Sequence, residues 1–294
     1  MPSSKRVFIT GGTGLIGREL YAPLATHGFE PYVLTVDDNH PILPQVTWIK
    51  GNLFDETCLA KALAQIQPQY LLNLAWCTSG DYQTSPLNFD FVRAGLTLLH
   101  HFANNGGQRT VFAGTCMEYA AQKTLLKESD SISPLNLYAR CKDNLHRLAQ
   151  DFCTAYHISF GYGRIFYVYG RKEHPSRLTA ALLNALRAGN SFTIAHAQLL
   201  RDYMYAKDIA AAFVALLDSP VQGSVNICTS RAVSLADYTR TLARLLGRED
   251  LLVLDQQPAA QPLLIAGDNT RLTQEVGFTP HYSLAQALQE IIEE

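Results

Sequence analysis

The fold is decided by residues 7–17, which read VFITGGTGLIG. The run Val7–Thr10 predicts a strand and Arg18 onward predicts a helix, so the glycines lie in the turn between them. Glycine lets the backbone approach a pyrophosphate, whose charge is stabilised by free N–H groups and by the dipole of the helix N-terminus. We therefore expect a dinucleotide here rather than an ordinary tight turn. The expected contacts are Gly11, Thr13, Gly14, Leu15, Ile16 and Gly17.

Short runs rich in β-branched residues alternate with helical segments up to about residue 165. Such alternation predicts a parallel sheet with helices on both faces. The expected fold class is therefore α/β, with a Rossmann-like doubly wound parallel sheet. The predicted strands are Arg6–Thr10, Tyr32–Val36, Val46–Ile49, Tyr70–Ala75, Thr110–Ala113 and Ile158–Ile165.

After Tyr169 the pattern loosens and predicts a smaller C-terminal α/β lobe that binds substrate. Its expected helices are Arg177–Ala188, Asp208–Leu217, Leu235–Leu246 and Ser283–Ile292, with short strands near Phe192 and Val225. The stretch Gln256–Gln261 contains one proline, is followed by another, and predicts a surface connection. We expect a dinucleotide-binding domain over residues 1–169 and the smaller lobe over residues 170–294, with the chain free to cross back between them.

Composition disfavours several kinds of partner. Lys and Arg number 24 against 26 Asp and Glu, so no strong positive field attracts nucleic acid. The longest apolar run, Ile209–Leu217, is far shorter than the roughly 20 residues of a membrane helix. We expect no export signal, because glycines break the apolar stretch that follows Lys5 and Arg6. The six cysteines and nine histidines lack ligand spacing, which predicts a cytoplasmic protein without a disulfide framework or metal site.

Tyr138 and Lys142 lie four residues apart on a long helical pattern and therefore share one face. A nearby cation lowers the pKa of a phenol, so the pair makes a tunable acid. The same spacing recurs at two other pairs, Tyr119 with Lys123 and Tyr203 with Lys207. Only Tyr138 opens a helix after the fifth strand, whose carboxyl end carries the hydroxyl of Thr115. Since ligands bind at such strand ends, we expect Thr115, Tyr138 and Lys142 to be catalytic.

The residue that ends the second strand selects between a free ribose hydroxyl and a 2′-phosphate. Thr35 or Asp37 occupies that place. Asp37 would accept a hydrogen bond from the hydroxyl and repel a phosphate, which favours NAD. Arg18 offers a cation to a phosphate instead, so the choice between NAD and NADP stays open.

Together these residues resemble the extended short-chain dehydrogenase/reductase superfamily, in its NAD-dependent epimerase/dehydratase branch. The resemblance covers nearly the whole chain. Besides the glycine loop and the Thr115, Tyr138 and Lys142 set, it rests on the segments Gly51–Leu53, Asn73–Ala75, Arg164–Gly170, Arg201–Asp208, Gly223–Asn226 and Gly277–Pro280. One departure is Asn52, where the family has the Asp of an adenine-contacting Gly-Asp-Leu.

The resemblance implies contacts with NAD(P)(H) and with a nucleotide-sugar substrate. The implied cofactor residues are Asn52 and Leu53 at the adenine, Leu74, Ala75 and Trp76 beyond the fourth strand, and Phe166 and Val168 at the nicotinamide. The implied substrate residues are Cys116, Met117, Glu118, Tyr167 and, at the diphosphate, Arg201. A core aromatic stripe is the alternative for Phe166–Val168, and an ion pair with Asp202 or Asp208 is the alternative for Arg201. Family analogy also implies a homodimer.

Within this branch, dehydratases of the glucose 4,6 type carry an acid and a base directly after the Thr. This chain has Cys116 and Met117 there, with Glu118 one residue late. Residues 115–119 and 137–142 look most like nucleotide-linked 4-keto-6-deoxyhexose reductases, which implies an NAD(P)H-dependent reductase. The alternatives are a 4-epimerase with tightly bound NAD and, more remotely, a non-catalytic dinucleotide-binding protein.

Overall fold

A seven-stranded parallel sheet lies at the centre of the fold in the computed structural model, which describes residues 5–255, 257 and 263–293. The strands are β1 (Lys5–Thr10), β2 (Phe29–Thr35), β3 (Thr47–Lys50), β4 (Tyr70–Asn73), β5 (Arg109–Thr115), β6 (Ser159–Ile165), β7 (Tyr167–Tyr169), β8 (Phe192–Ile194), β9 (Leu200–Tyr205), β10 (Gly223–Ile227), β11 (Ala232–Ser234), β12 (Leu252–Leu254) and β13 (Leu264–Ile265). The helices are α1 (Tyr21–Thr26), α2 (Glu56–Ile66), α3 (Leu87–Asn104), α4 (Leu137–Ala155), α5 (Leu178–Arg187), α6 (Ala206–Asp218), α7 (Leu235–Leu245) and α8 (Leu284–Ile292).

The order of the central strands is β3-β2-β1-β4-β5-β6-β10, and every neighbouring pair is parallel. Alternate side chains of β1 enter different cores: Val7 and Ile9 pack with α1 and α6, whereas Phe8 packs with α2, α3 and α4. Both faces of the sheet are therefore covered, as a parallel sheet requires. The predicted α/β, doubly wound class is confirmed.

The remaining strands and the helices α5, α7 and α8 form a second layer with its own apolar core. β9 pairs with β7, β11 and β13, and β8 pairs with β12. The chain also crosses back, because β10 pairs with β6 in the central sheet and α6 packs on that sheet. The smaller lobe therefore does not include the helix predicted at Asp208–Leu217 or the strand predicted near Val225. Both elements belong with the first domain. The predicted connection Gln256–Gln261 lies outside the described residues except for Gln257.

The helix predicted from Arg18 onward is broken. A 3-10 turn at Gly17–Glu19 is followed by α1, which is only six residues long. Pro23 explains the break, because it has no N–H for the carbonyl of Glu19 and its ring would clash with that carbonyl. The glycine loop therefore leads into a 3-10 turn rather than into the N-terminus of a long helix.

Beneath the carboxyl end of β5, Glu118 and Arg164 form an ion pair at 2.8 Å, with side chains 0% and 3% exposed. Glu118 also accepts hydrogen bonds from the N–H of Thr115 (2.9 Å) and from the hydroxyl of Tyr162 (2.7 Å). Thr115 in turn caps the 3-10 turn Cys116–Glu118 by accepting from the N–H of Met117. This network fixes the end of β5 against β6.

In the described part of the chain, no helix is both long and apolar enough to cross a membrane.

Replacing Arg164 by Met should lower the free energy of unfolding by about 3–5 kcal/mol, because it leaves the Glu118 carboxylate buried and unpaired. Adding Glu118→Gln should recover part of that loss, since the remaining group is neutral. The Arg164→Met protein should also gain stability as the pH falls, because a buried carboxyl with a raised pKa binds a proton more readily in the folded state. Chemical denaturation measures these changes.

The matched control is Arg147→Met, which removes an i,i+4 pair with Asp143 whose arginine side chain is 61% exposed. Its expected cost is about 0–1 kcal/mol. Equal losses for the two arginine variants would contradict the assignment of Arg164 as the essential partner of Glu118.

Candidate active site

A cleft opens at the carboxyl ends of β1, β4, β5 and β6, where parallel sheets bind ligands. Most of the predicted site residues line it: Gly11, Gly14, Leu15, Ile16, Gly17, Leu74, Ala75, Trp76, Thr115, Cys116, Met117, Tyr138, Lys142, Phe166, Tyr167 and Val168. Residues from the first domain and from the segment after β7 thus meet in one cavity.

The glycine loop passes so close to the segment after β4 that only glycine fits. Gly11 has φ +77°, and a Cβ there would lie 2.7 Å from the backbone nitrogen of Ala75. A Cβ at Gly17 would collide with the carbonyl of Gly11. The loop is braced from behind, since Tyr21 donates to the Gly12 carbonyl (2.8 Å) and Arg18 donates to the Thr13 carbonyl (3.0 Å). Arg18 is therefore engaged with the loop itself.

Thr115, Tyr138 and Lys142 come together as predicted, from the end of β5 and the first turns of α4. The Thr115 hydroxyl accepts from the Met117 N–H at 3.3 Å and lines the cleft together with the phenol of Tyr138. The Lys142 ammonium donates to the Ala113 carbonyl at 2.8 Å. All three side chains are buried within the floor of the cleft.

Burial moves the pKa values of Tyr138 and Lys142 in opposite directions, because it disfavours whichever form is charged. It raises the pKa of the Tyr138 phenol above its ordinary value of 10.0, against a smaller lowering by Thr115. It lowers the pKa of Lys142 from 10.5 to about 7, against a smaller rise from Glu118. The expectation that Lys142 dominates the pKa of the phenol is wrong here: burial outweighs it. Tyr138 holds its proton throughout the neutral range.

Six predicted residues do not line the cleft: Thr13, Asp37, Asn52, Leu53, Glu118 and Arg201. Glu118 is fully enclosed by its partners, and its role at the substrate stays a prediction. Arg201 is 2% exposed, donates to the carbonyls of Leu200 and Leu263, and lies 5.5 Å from the ring of Tyr167. Its role at a diphosphate stays a prediction.

At the end of β2, Thr35 and Asp37 form a local turn. The N–H of Asp37 donates to the Thr35 hydroxyl at 3.0 Å, and the Asp37 carboxylate accepts from the N–H of Asn39 at 2.8 Å. Asn52 has a similar role, accepting from the N–H of Phe54. Asp37 is exposed and Thr35 is buried. The choice between NAD and NADP therefore stays open.

Several lining residues were missed: Thr78, Ser79, Tyr82, Ala113, Gly114, Ile165, Glu173, His174 and Arg177. Arg177 donates to the Thr78 carbonyl at 2.9 Å and lies 5.7 Å from the ring of Tyr82, which packs edge-on against Tyr138. Ala113, Gly114 and Ile165 lie at the carboxyl ends of β5 and β6, whereas the other six lie in irregular segments. Arg177 is 99 positions from Thr78, so no local pattern predicted that contact.

Glu118, Asp143 and His146 converge within 4.8 Å beneath the cleft, a grouping compatible with metal ligands. The oxygens of Glu118 already accept from Thr115, Tyr162 and Arg164. Asp143 likewise pairs with Arg147. We therefore treat the group as part of the protein's own hydrogen-bond network.

Known proteins are similar to this chain over most of its length. The chain is 24% identical to a UDP-glucose 4-epimerase of Rhizobium meliloti (strain 1021), covering 96% of this chain and 94% of that protein. It is 23% identical to a dTDP-6-deoxy-L-talose 4-dehydrogenase (NAD(+)) of Aggregatibacter actinomycetemcomitans, covering 78% and 86%. The crystal structure of a Thermotoga maritima UDP-glucose 4-epimerase with UDP-glucose superposes with a TM-score of 0.88 at 19% identity, covering 98% and 97%.

The family described as "NAD dependent epimerase/dehydratase family" matches residues 7–228, from the first strand to the end of β10. That span includes the glycine loop and Thr115, Tyr138 and Lys142, and it confirms the resemblance drawn from the sequence. The chain therefore belongs to the NAD-dependent epimerase/dehydratase family.

Proposed function

We propose that this protein is an NAD(P)H-dependent reductase that converts the ketone of a nucleotide-linked 4-keto-6-deoxy sugar to an alcohol. The observation that carries the proposal is the composition of the cleft floor. Thr115, Tyr138 and Lys142 supply a hydroxyl donor, a proton source and a cation, while the two residues after Thr115 supply neither an acid nor a base.

The residues present fit a dinucleotide. The glycine loop leaves space that a Cβ would fill at Gly11 and Gly17, and the cleft continues along Leu74–Trp76 to Lys142. These residues would hold the pyrophosphate and the ribose. When bound, the cofactor supplies a hydride to the carbonyl carbon of the sugar.

The protein's own groups act on the carbonyl oxygen. Tyr138 donates a proton to it as negative charge develops, and its raised pKa keeps that proton in place until then. Thr115 accepts from the Met117 N–H, so its own hydroxyl hydrogen is free to point at the oxygen or at Tyr138. The Lys142 ammonium stabilises the phenolate that Tyr138 becomes.

Cys116 and Met117 argue against dehydration, which needs an acid and a base beside the sugar. Burial raises the pKa of the Cys116 thiol to about 12, so it stays protonated at neutral pH. The thioether of Met117 neither gives nor takes a proton. An apolar pair of this kind suits a sugar whose carbon 6 is a methyl group.

A 4-epimerase is the second candidate, and the similarity to the UDP-glucose 4-epimerase of Rhizobium meliloti favours it. An epimerase would use the same Thr115, Tyr138 and Lys142 but would retain its cofactor and return the hydride to the opposite face. Dimerisation and a cytoplasmic location belong to either proposal as family analogies.

Cofactor stoichiometry separates the two. With nucleotide-linked 4-keto-6-deoxy sugars, the purified protein should consume one NADH or NADPH per product, followed by the fall in absorbance of the reduced nicotinamide. Parallel assays with each cofactor decide between NAD and NADP. Conversion of UDP-glucose to its 4-epimer with no net change in absorbance would establish the epimerase instead.

Replacing Tyr138 by Phe should lower kcat by about 10²–10⁴-fold, because the proton donor is lost while the ring remains. Binding of the dinucleotide, measured by calorimetry, should persist. Tyr156→Phe is the matched control, since it removes an exposed phenol at the end of the same helix. A full kcat in Tyr138→Phe would contradict the role of Tyr138 as the proton donor.

The rate should fall with rising pH as Lys142 loses its proton. Both Tyr138 and Lys142 must be protonated for reduction, and Lys142 titrates first, at about 7. We expect kcat/KM to drop about tenfold per pH unit above that value. Lys142→Arg, which keeps its charge, should be slower, but its kcat/KM should not fall as the pH rises through 7. In the unaltered protein, a fall in kcat/KM that begins only near pH 10 would contradict the assignment of this titration to Lys142.

A further inference from the structure

Trp76 makes an unusual contact with Lys142. It follows β4, and its indole lies in the cleft with the Lys142 ammonium 3.9 Å from the ring centroid. A cation over an indole face is attracted by the negative face of the ring, more strongly than over a phenol or benzene ring. The same indole meets Tyr138 edge-on at 6.1 Å, so it contacts both members of the pair.

The position of the indole is fixed by the protein. Its N–H donates to the side-chain oxygen of Asn88 at 2.8 Å. Asn88 is 2% exposed and is itself held by donating to the carbonyls of Tyr82 and Ser85. The ring also stacks on Phe91, with centroids 5.0 Å apart. The contact with Lys142 is therefore built into the loop between β4 and α3.

Lys142 needs such a partner because it is a buried cation. Its ammonium donates to the neutral carbonyl of Ala113, and the salt bridges within the described residues include none to Lys142. The nearest influential carboxylate, Glu118, is already paired with Arg164. The face of Trp76 is thus the cation's direct electrostatic support on the cleft side.

We propose that Trp76 is a positioning residue that keeps the Lys142 ammonium charged and in place between the indole face and the Ala113 carbonyl. The proposal rests on the proposed function only for its consequence in catalysis, where the charge of Lys142 supports Tyr138. The contact itself is tested without any substrate.

The other titratable and charged groups that neighbouring elements bring to this end of α4 are Glu118, Cys116, Tyr162, Arg164, Tyr82 and Tyr138. Burial keeps the Cys116 thiol and the phenols of Tyr138 and Tyr162 neutral near pH 7 by raising their pKa values. Arg164 holds Glu118 by its ion pair. Among the other residues that line the cleft, burial also raises the pKa of Glu173, to about 7, so a titration between pH 6 and pH 9 is assigned to Lys142 only where a substitution of Lys142 abolishes it.

The first experiment uses fluorescence in the absence of cofactor and substrate. The chain has two tryptophans, and Trp48 stacks on His40 at 4.3 Å outside the cleft, so Trp48→Phe leaves Trp76 as the reporter. Its emission should change with a single titration near pH 7, as the ammonium over the indole is lost. The titration should vanish when Lys142→Met is added. Emission that is constant from pH 6 to pH 9 in the Trp48→Phe protein would overturn the proposal.

The second experiment follows the pH profile of kcat/KM. Trp76→Leu should move the alkaline limb about one unit towards acid, with a loss of about tenfold at pH 8 and little change at pH 6. Trp76→Phe, which retains a weaker aromatic face, should lie between Trp76→Leu and the unaltered protein. Trp48→Phe should leave the profile unchanged. A uniform loss at all pH values, or a limb shifted towards alkali, would overturn the proposal.

The two experiments distinguish a failure of the proposed function from a failure of the positioning role of Trp76. If no nucleotide sugar is converted but the emission of Trp76 titrates with Lys142, the contact stands and the proposed function fails. If sugar is reduced but neither the emission nor the limb responds to Trp76 and Lys142, the positioning role fails and the proposed function stands.

Discussion

Glu118 and Arg164 meet in a space from which water is almost fully excluded, and the cost of burying both charges is offset only while their geometry is intact. The same carboxylate accepts hydrogen bonds from the N–H of Thr115 and from the hydroxyl of Tyr162, whose oxygen lies 3.2 Å from the backbone carbonyl of Lys142. One anion thus ties the end of β5, the strand β6 and the start of α4 together. The positions of the three candidate catalytic side chains depend on it.

Above that anion, burial acts on two groups of opposite character. A phenol is neutral when protonated and a lysine is charged, so the same low-polarity surroundings strengthen the hold of Tyr138 on its proton and weaken that of Lys142. A site with a firmly protonated acid beside a marginally stable cation is suited to delivering one proton at neutral pH. The indole of Trp76 lies on the side of the cation where water would otherwise stabilise it.

The sequence predicted what local patterns encode. Glycine spacing after an apolar run predicted the dinucleotide loop, and the four-residue spacing after the fifth strand predicted Tyr138 and Lys142. The break at Pro23 follows from a known property of proline, whereas the helical pattern around it predicted a continuous helix from Arg18. The enclosure of Glu118 has no local signal in the sequence, because its partner Arg164 is 46 positions away. Long-range pairing, including the return of β10 to the sheet, is set by packing that no local pattern reveals.

That return changes how the molecule is divided. The second layer consists of two separate segments of the chain. One carries β7, β8, α5 and β9, and the other runs from β11 to α8; between them, β10 joins the central sheet and α6 packs on it. Exchanging this layer for that of a relative would need three splice points rather than one. A cut after residue 169 would strip α6 from the sheet and bare its buried face, including Ile209 and Phe213. A new substrate specificity is therefore more readily introduced into this scaffold by replacing single loops than by exchanging the whole second layer.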